Sequence, residues 1–358
     1  MKNILIVFNR LLADVSTHHK VRICAPHDID TLWILKGGPA LDKELLHYLE
    51  TGTVVPAFPE WLMPLWDLFV VTDDATVLRS LRQVLKFGYK TEFEPTDEQI
   101  KEAQASFVNV DDSIPDFEAY FEKAPKSGMF RSARQLVSRV IANPRFYDIA
   151  PSQGPGAVYP SCPHWQRSDF HNISEEMDRL YPYYSYFRPL NSELESLDVS
   201  GSLPVTWYDT SRAKLVAVPK DSRGPRLICV HSREAIWIQQ GLRKRLEDLI
   251  SSSRLTSRNI KFHDQSLNAN KALSGSADRS YATIDLKDAS DCISIGLTRY
   301  LLGSDYQFFD CCRANSVTLI NGEIISLKKY APMGNATVFP LQSLFFWALV
   351  RAGIECHI

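Results

Sequence analysis

The spacing of hydrophobic positions changes part-way along the chain. In residues 74–87, DATVLRSLRQVLKF, Val77, Leu78, Leu81, Val84 and Leu85 recur at helical intervals, which predicts an amphipathic helix. Gly88 follows as a C-terminal stop. Next, PTDEQIKEAQASF offers Thr96 and Gln99 as a capping box for another helix. Residues 129–142, MFRSARQLVSRVIA, predict a third, stopped by Asn143-Pro144. Residues 1–150 therefore read as mainly helical. Residues 150–210 are dense in Gly and Pro (APSQGPGAVYPSCPHW) and then in tyrosine (RLYPYYSYFRPL), which predicts turn-rich loops with the tyrosines packed beneath them.

After residue 205 the period shortens to that of strands. KLVAVPK and RLICVH bracket the turn signal DSRGP and predict a hairpin. EAIWIQQGLRKRLEDLI reads as a helix. A strand over 281–286 and a helix over roughly 292–302 come next. SVTLI-NG-EIISL predicts a second hairpin, with Asn321-Gly322 suited to a type I′ turn. VFPLQSLFFWALVRAG reads as a buried helix. The fold class expected is α+β, divided into 1–150, 151–280 and 281–358.

Composition narrows the chemistry. The chain has 358 residues, 45% of them hydrophobic and 23% charged, enough for a sizeable core. Its formal net charge is only −2, yet residues 212–245 hold Arg212, Lys214, Lys220, Arg223, Arg226, Arg233, Arg243, Lys244 and Arg245 against Asp221 and Glu234. Local patches of this kind decide contacts with polyanions whatever the net charge. Seven cysteines without a CxxC indicate free thiols in a reducing compartment. The apolar runs all fall short of the roughly twenty residues a membrane span needs, so no membrane association is expected.

Candidate chemistry centres on YATIDLKDASDCIS, residues 281–294. A carboxylate fixed at a strand end, as expected for Asp285, is a natural ligand for a hard cation such as Mg²⁺. Asp288 and Ser290 are candidate caps for the helix that follows. Lys220, Arg223 and Arg226 cluster about one turn and suit a polyphosphate, because arginine forks pair two oxygens at once. A metal carboxylate and a phosphate clamp on one chain point to phosphoryl or nucleotidyl transfer. Met333-Gly334-Asn335 joins a hairpin to a buried helix; glycine there permits positive φ or close backbone approach.

In this order, VPKDSRGPRLICV, HDQSLNANKALSGSADRSYATIDLKDASDCISIGL and YAPMGNATVFPLQSLFF resemble motifs F, A and B of RNA-dependent RNA polymerases, in particular the replicase catalytic subunit of levivirus-like positive-strand RNA bacteriophages. The resemblance spans about residues 205–350, and GPGAV at 154–158 recurs in the same group. It implies a right-hand polymerase with fingers and a partial palm, the thumb missing. The implied reaction is RNA-templated RNA synthesis from nucleoside triphosphates for viral genome replication. Asp285, with the Leu286 carbonyl, would bind two Mg²⁺ ions, Mn²⁺ serving as a substitute. Lys220, Arg223 and Arg226 would hold the triphosphate. Ser290 and Asp291 would sense the ribose 2′-OH. Gly334 and Asn335 would line the ribose and template.

Asp288 departs from the family, where a small residue is usual, and reads as a cap; His231 stands where an acid is common. Implied partners are RNA template and product, nucleoside triphosphates and host translation proteins, in the cytoplasm of a bacterial host. No Gly-Asp-Asp motif C occurs, so the chain is expected to be truncated before it and inactive alone. The rival expectation is a non-catalytic RNA-binding protein that uses the basic hairpin and the tyrosines.

Overall fold

Helices lead the chain, as the spacing of its apolar residues requires. The computed structural model describes residues 2–27, 29–90, 94–123, 128–170, 172–187, 206–208, 212–221 and 224–357. First come α1 (Lys2–His19), α2 (Gly38–Thr51), α3 (Met63–Thr72), α4 (Ala75–Leu85), α5 (Asp97–Asp112), α6 (Phe117–Lys123) and α7 (Gly128–Val140). Short elements follow: β1 (Asn172–Ser174), α8 (Glu175–Leu180), α9 (Tyr183–Tyr186) and β2 (Thr206–Tyr208). Then come β3 (Arg212–Asp221), β4 (Gly224–Val230), α10 (Arg233–Ser252), α11 (Ser266–Asp278), α12 (Ile295–Leu302), α13 (Tyr306–Asp310), β5 (Ser316–Thr318), β6 (Ile324–Ser326) and α14 (Val338–His357). The class is α+β, as expected. Two compact units emerge: Met1–Ala103 with Ala217–Arg226, and Gln104–Val216 with Leu227–Ile358.

In the first unit, α4 starts where Asp74 accepts the Thr76 amide at 2.7 Å. Its Val77, Leu81, Val84 and Leu85 are buried with Phe8 and Leu12 of α1, Leu45 of α2 and Leu65 of α3. The buried Asp42 carboxylate accepts two bonds from Arg82, at 2.7 and 3.2 Å, which satisfies a charge that would otherwise be costly to bury. The capping box is present: the Thr96 amide donates to Gln99 Oε1 at 3.0 Å and the Gln99 amide to Thr96 Oγ1 at 3.3 Å. Gly88 has a different role from the expected stop. It lacks positive φ, and a Cβ there would sit 2.4 Å from the Ile34 carbonyl oxygen, so close approach explains it.

In the second unit one core joins Ala133, Leu136, Val137 and Val140 of α7 to Ile238, Leu242, Leu246 and Ile250 of α10, Leu297 and Leu301 of α12, and Leu341, Leu344, Phe345 and Ala348 of α14. A second core backs the sheet, whose order is β4-β3-β5-β6. β3 runs parallel to β5 (Ala213↔Val317) and β5 antiparallel to β6 (Val317↔Ile325). Strand alternation sends Ala213, Leu215, Cys229 and Val317 inward, against Phe107 of α5. The tyrosines pack: Tyr181 is buried and donates to the Phe146 carbonyl at 2.9 Å, Tyr183 donates to the Phe170 carbonyl at 2.9 Å, and Tyr186 to the Tyr147 carbonyl.

Three expectations need correction. The second hairpin forms, but only Gly322 takes positive φ (+89°), and its amide donates to the Leu319 carbonyl at 3.0 Å. That is a tight turn closed by a left-handed glycine, not a type I′ turn. Residues 281–286 are not a strand. No described residue pairs with them, and without a ladder partner Ile284 stays 83% exposed. Asp288 does not cap the next helix; it sits at φ +51°, its carbonyl accepts the Asp291 and Cys292 amides at 3.0 and 3.1 Å, and its carboxylate lies 3.8 Å from the Lys287 ammonium. Ser294 is the cap, its Oγ accepting the Leu297 amide at 3.0 Å, so the helix starts at Ile295.

Candidate functional site

The site is built from three segments of the second unit that the sequence had singled out separately. Near the end of β4, Cys229 is turned into the core. Its amide donates to the Met333 carbonyl at 2.8 Å, which draws the Met333-Gly334-Asn335 loop onto the strand. Gly334 sits at φ +119°, and a Cβ there would lie 2.1 Å from the Cys229 carbonyl oxygen. Only glycine fits, by conformation and by space.

The loop is fastened further along. Asn335 is buried, and its Oδ1 accepts the Thr337 amide at 2.8 Å and the Thr337 hydroxyl at 2.7 Å, ordering the entry to α14. Gln239 of α10 accepts the Ala336 amide at 3.2 Å and donates to the Cys312 carbonyl at 2.7 Å. Asn335 Nδ2 is left as a buried donor without a partner.

The third segment enters through Lys329. Backbone bonds lay residues 328–330 against 293–295: the Tyr330 amide donates to the Ile293 carbonyl at 2.6 Å, and the Ile295 amide to the Lys328 carbonyl at 3.1 Å. The Lys329 side chain has no exposed surface. Its ammonium lies 3.0 Å from Asp291 Oδ1 and 3.9 Å from Asp111 Oδ1, donates to the Phe107 carbonyl at 3.3 Å, and stands 3.7 Å from the centroid of the Phe107 ring. Asp111 also accepts the Lys328 and Lys329 amides, each at 3.0 Å. Burying an ammonium costs several kcal/mol unless partners of this kind surround it. The Cys229 thiol feels the same group: burial pushes its pKa up, Asp291 adds to the shift and Lys329 opposes it.

The other predicted residues lie elsewhere. Asp285 and Leu286 are exposed on the irregular segment 281–286, and Asp285 has no ion pair or hydrogen bond among the described residues. Ser290 is half-buried in the turn Ser290–Cys292. Lys220 and Arg226 are exposed on the hairpin stretch that belongs to the first unit, and neither is ion-paired among the described residues. Arg223 lies outside the described residues. Among the described residues no three His, Cys, Asp or Glu side chains are grouped to hold a metal. Asp285 with the Leu286 carbonyl offers hard oxygen donors of the type Mg²⁺ takes, but only part of a ligand set.

Sequence reasoning missed Lys329, Asp111 and Gln239. Alternation carried a signal for the first: Leu327 and Lys329 are buried while Ser326 and Lys328 are exposed. Nothing local marked Asp111, one of two adjacent aspartates in NVDDS.

His231, one residue past β4, is fully buried, and among the described residues neither ring nitrogen has a hydrogen-bond partner. Burial pushes its pKa from 6.5 down to about 4. The folded protein thus resists a proton that the unfolded chain accepts. Stability is full above pH 6.5 and declines as pH falls towards 4, by up to about 3 kcal/mol. Urea denaturation across this range should show that decline, and His231→Phe should flatten it. Gly334→Ala should cost about 2–4 kcal/mol by the same measurement, because the loop must leave β4 to admit the methyl group.

Residues 179–358 match the family described as RNA replicase, beta-chain. Over 136 residues the chain is 36% identical to the RNA-directed RNA polymerase beta chain of Escherichia phage MS2, covering 38% of this chain and 24% of that relative. It is 35% identical over 143 residues to the RNA-directed RNA polymerase subunit beta of Qbeta virus (strain MX1), covering 40% and 24%. A similar match is to the beta chain of Enterobacteria phage GA, 34% identical over 142 residues, covering 38% and 25%. The chain thus spans about a quarter of the length of the curated relatives it matches. Among the described residues no helix is long and apolar enough to cross a membrane. The family match runs from α8 through β4 and the Gly334 loop to α14, half of the sequence, and this protein belongs to the RNA replicase beta-chain family.

Proposed function

We propose that this chain carries the fingers and part of the palm of an RNA-dependent RNA polymerase, one that copies a positive-strand phage genome from nucleoside triphosphates. One observation carries the reading. The segments that resemble motifs F and B join where Cys229 meets the Gly334 loop, and the segment that resembles motif A is tied through Asp291 to Lys329, next to motif B. That convergence is what nucleotidyl transfer asks for, since its catalysis is mostly positioning and electrostatics.

In this reading Lys220, Arg223 and Arg226 take the triphosphate oxygens. Asp291 gives one carboxylate oxygen to Lys329 and keeps its side chain 19% exposed, leaving the other oxygen to accept a ribose 2′-OH beside Ser290. Gly334 sets the approach of the loop to the ribose and template, and Asn335 Nδ2 is a spare donor behind it. Asp285 and the Leu286 carbonyl hold Mg²⁺, two ions in the complete site, with Mn²⁺ as substitute. Bound there, the metal would activate the attacking 3′-OH and stabilise the leaving oxygens. The family resemblance adds host translation proteins as partners and the bacterial cytoplasm as the setting.

Among the described residues Asp285 belongs to no group of three His, Cys, Asp or Glu side chains that could hold a metal, so we infer that the chain does not polymerise on its own. The exposure of Asp285 favours a second reading, a non-catalytic RNA-binding protein. Asp285→Asn separates the two. In the replicase reading frame that contains this chain, the polymerase reading expects template-dependent incorporation to be lost while RNA affinity stays within about twofold, because phosphate contacts dominate that affinity. Unchanged incorporation in the variant, or incorporation by the isolated 358-residue chain, would contradict it.

A further inference from the structure

α7 faces two ways. Ala133, Leu136, Val137 and Val140 enter the core, and the opposite face presents Arg131, Arg134, Gln135, Ser138 and Arg139, all exposed. This helix carries three arginines and no acid. Together with Tyr300 of α12 and Glu355 of α14 its outer face lines a groove of about 810 Å³. Arg131, Arg134 and Arg139 make no ion pair among the described residues. The one acid in the groove, Glu355, is already bonded to Arg351 at 2.7 Å. The groove is therefore an uncompensated concentration of positive charge, in a chain whose net charge is −2.

Two features hold it ready. Tyr300 stacks on Phe121 at 4.0 Å between centroids, and the Arg134 guanidinium lies 5.2 Å from the Tyr300 ring centroid. The ring thus orients a guanidinium and is not a free platform for a base. Gly303, at φ +59°, leaves room for Arg134; a Cβ there would come within 3.1 Å of its Nη2. Arg131 and Arg139 are eight residues apart, about 12 Å along the helix axis, so their charges suit an extended polyanion better than a single anion.

We propose that this groove binds the phosphate backbone of single-stranded RNA, at a second place apart from the basic hairpin. The assignment of RNA over an acidic protein segment rests on the polymerase reading above. Guanidinium forks pair phosphate oxygens two at a time, and Gln135 and Ser138 add neutral donors between them.

The test is fluorescence anisotropy of the 358-residue chain with a labelled oligouridylate of about 20 nucleotides, between about 50 and 200 mM KCl. R131S/R139S should bind about tenfold more weakly and lower the log K against log salt slope by about 1.4, some 0.7 for each phosphate no longer neutralised. R131K/R139K should keep the slope, and both variants should melt as the parent does. If R131S/R139S binds like the parent while K220S/R226S binds weakly, the groove assignment is overturned and the polymerase reading stands. If the unmodified chain binds no RNA, both fall. If polyglutamate of matched charge competes as well as RNA, the groove belongs to an acidic protein partner and the proposal is wrong.

Discussion

A lysine with no exposed surface is the constraint on which the junction depends. Asp291, Asp111, the Phe107 carbonyl and the Phe107 ring surround the Lys329 ammonium, which would be costly to bury without them. Those partners come from two distant parts of the chain, α5 and the turn at 290–292. Replacing a buried ion pair with apolar side chains is often neutral or stabilising, so the pair is a poor source of stability as such. Its effect is to fix geometry. Asp291 is held at a defined place, one oxygen engaged, on the segment that also carries Asp285.

Beside it, a steric constraint does similar work. Gly334 lets the loop backbone press onto the Cys229 carbonyl, and the Cys229 amide returns a hydrogen bond to Met333. Asn335, Thr337 and Gln239 then fasten the loop to the start of α14 and to α10. This junction is tied by hydrogen bonds, with Cys229, Lys329 and Asn335 buried. Residues 281–286 are its opposite, irregular and exposed, without a ladder partner among the described residues. A polymerase site needs both a fixed frame for the ribose and a carboxylate that reaches solvent, metal and triphosphate. The proposed function assigns the frame to Asp291, Lys329 and Gly334, and the reaching carboxylate to Asp285.

Local patterns were legible in the sequence wherever one element decided its own structure. α4 and α7 followed from apolar spacing, the Thr96–Gln99 box from capping chemistry, and the β5–β6 hairpin from its Asn-Gly signal. The glycine at 334 was read as permitting positive φ or close approach, and it does both. Failures came where a neighbour decides. A strand over 281–286 needs a partner that no spacing can supply. Gly88 looked like a helix stop, but the Ile34 carbonyl opposite it sets the requirement. Asp288 had the right chemistry for a cap, yet Ser294 stands at the helix entry and took the role. Lys329 and Asp111 are 218 residues apart and meet only in the fold, so neither drew a reading from the sequence.

A double-mutant cycle on Lys329→Met and Asp291→Asn, read by urea denaturation, tests the central claim most directly. If the buried pair organises the junction, each single variant leaves an unpaired group, and the double variant recovers a coupling energy of about 1.5–3 kcal/mol. Effects that add to within about 0.5 kcal/mol would show that the two side chains do not depend on each other, and the account of the junction would be wrong.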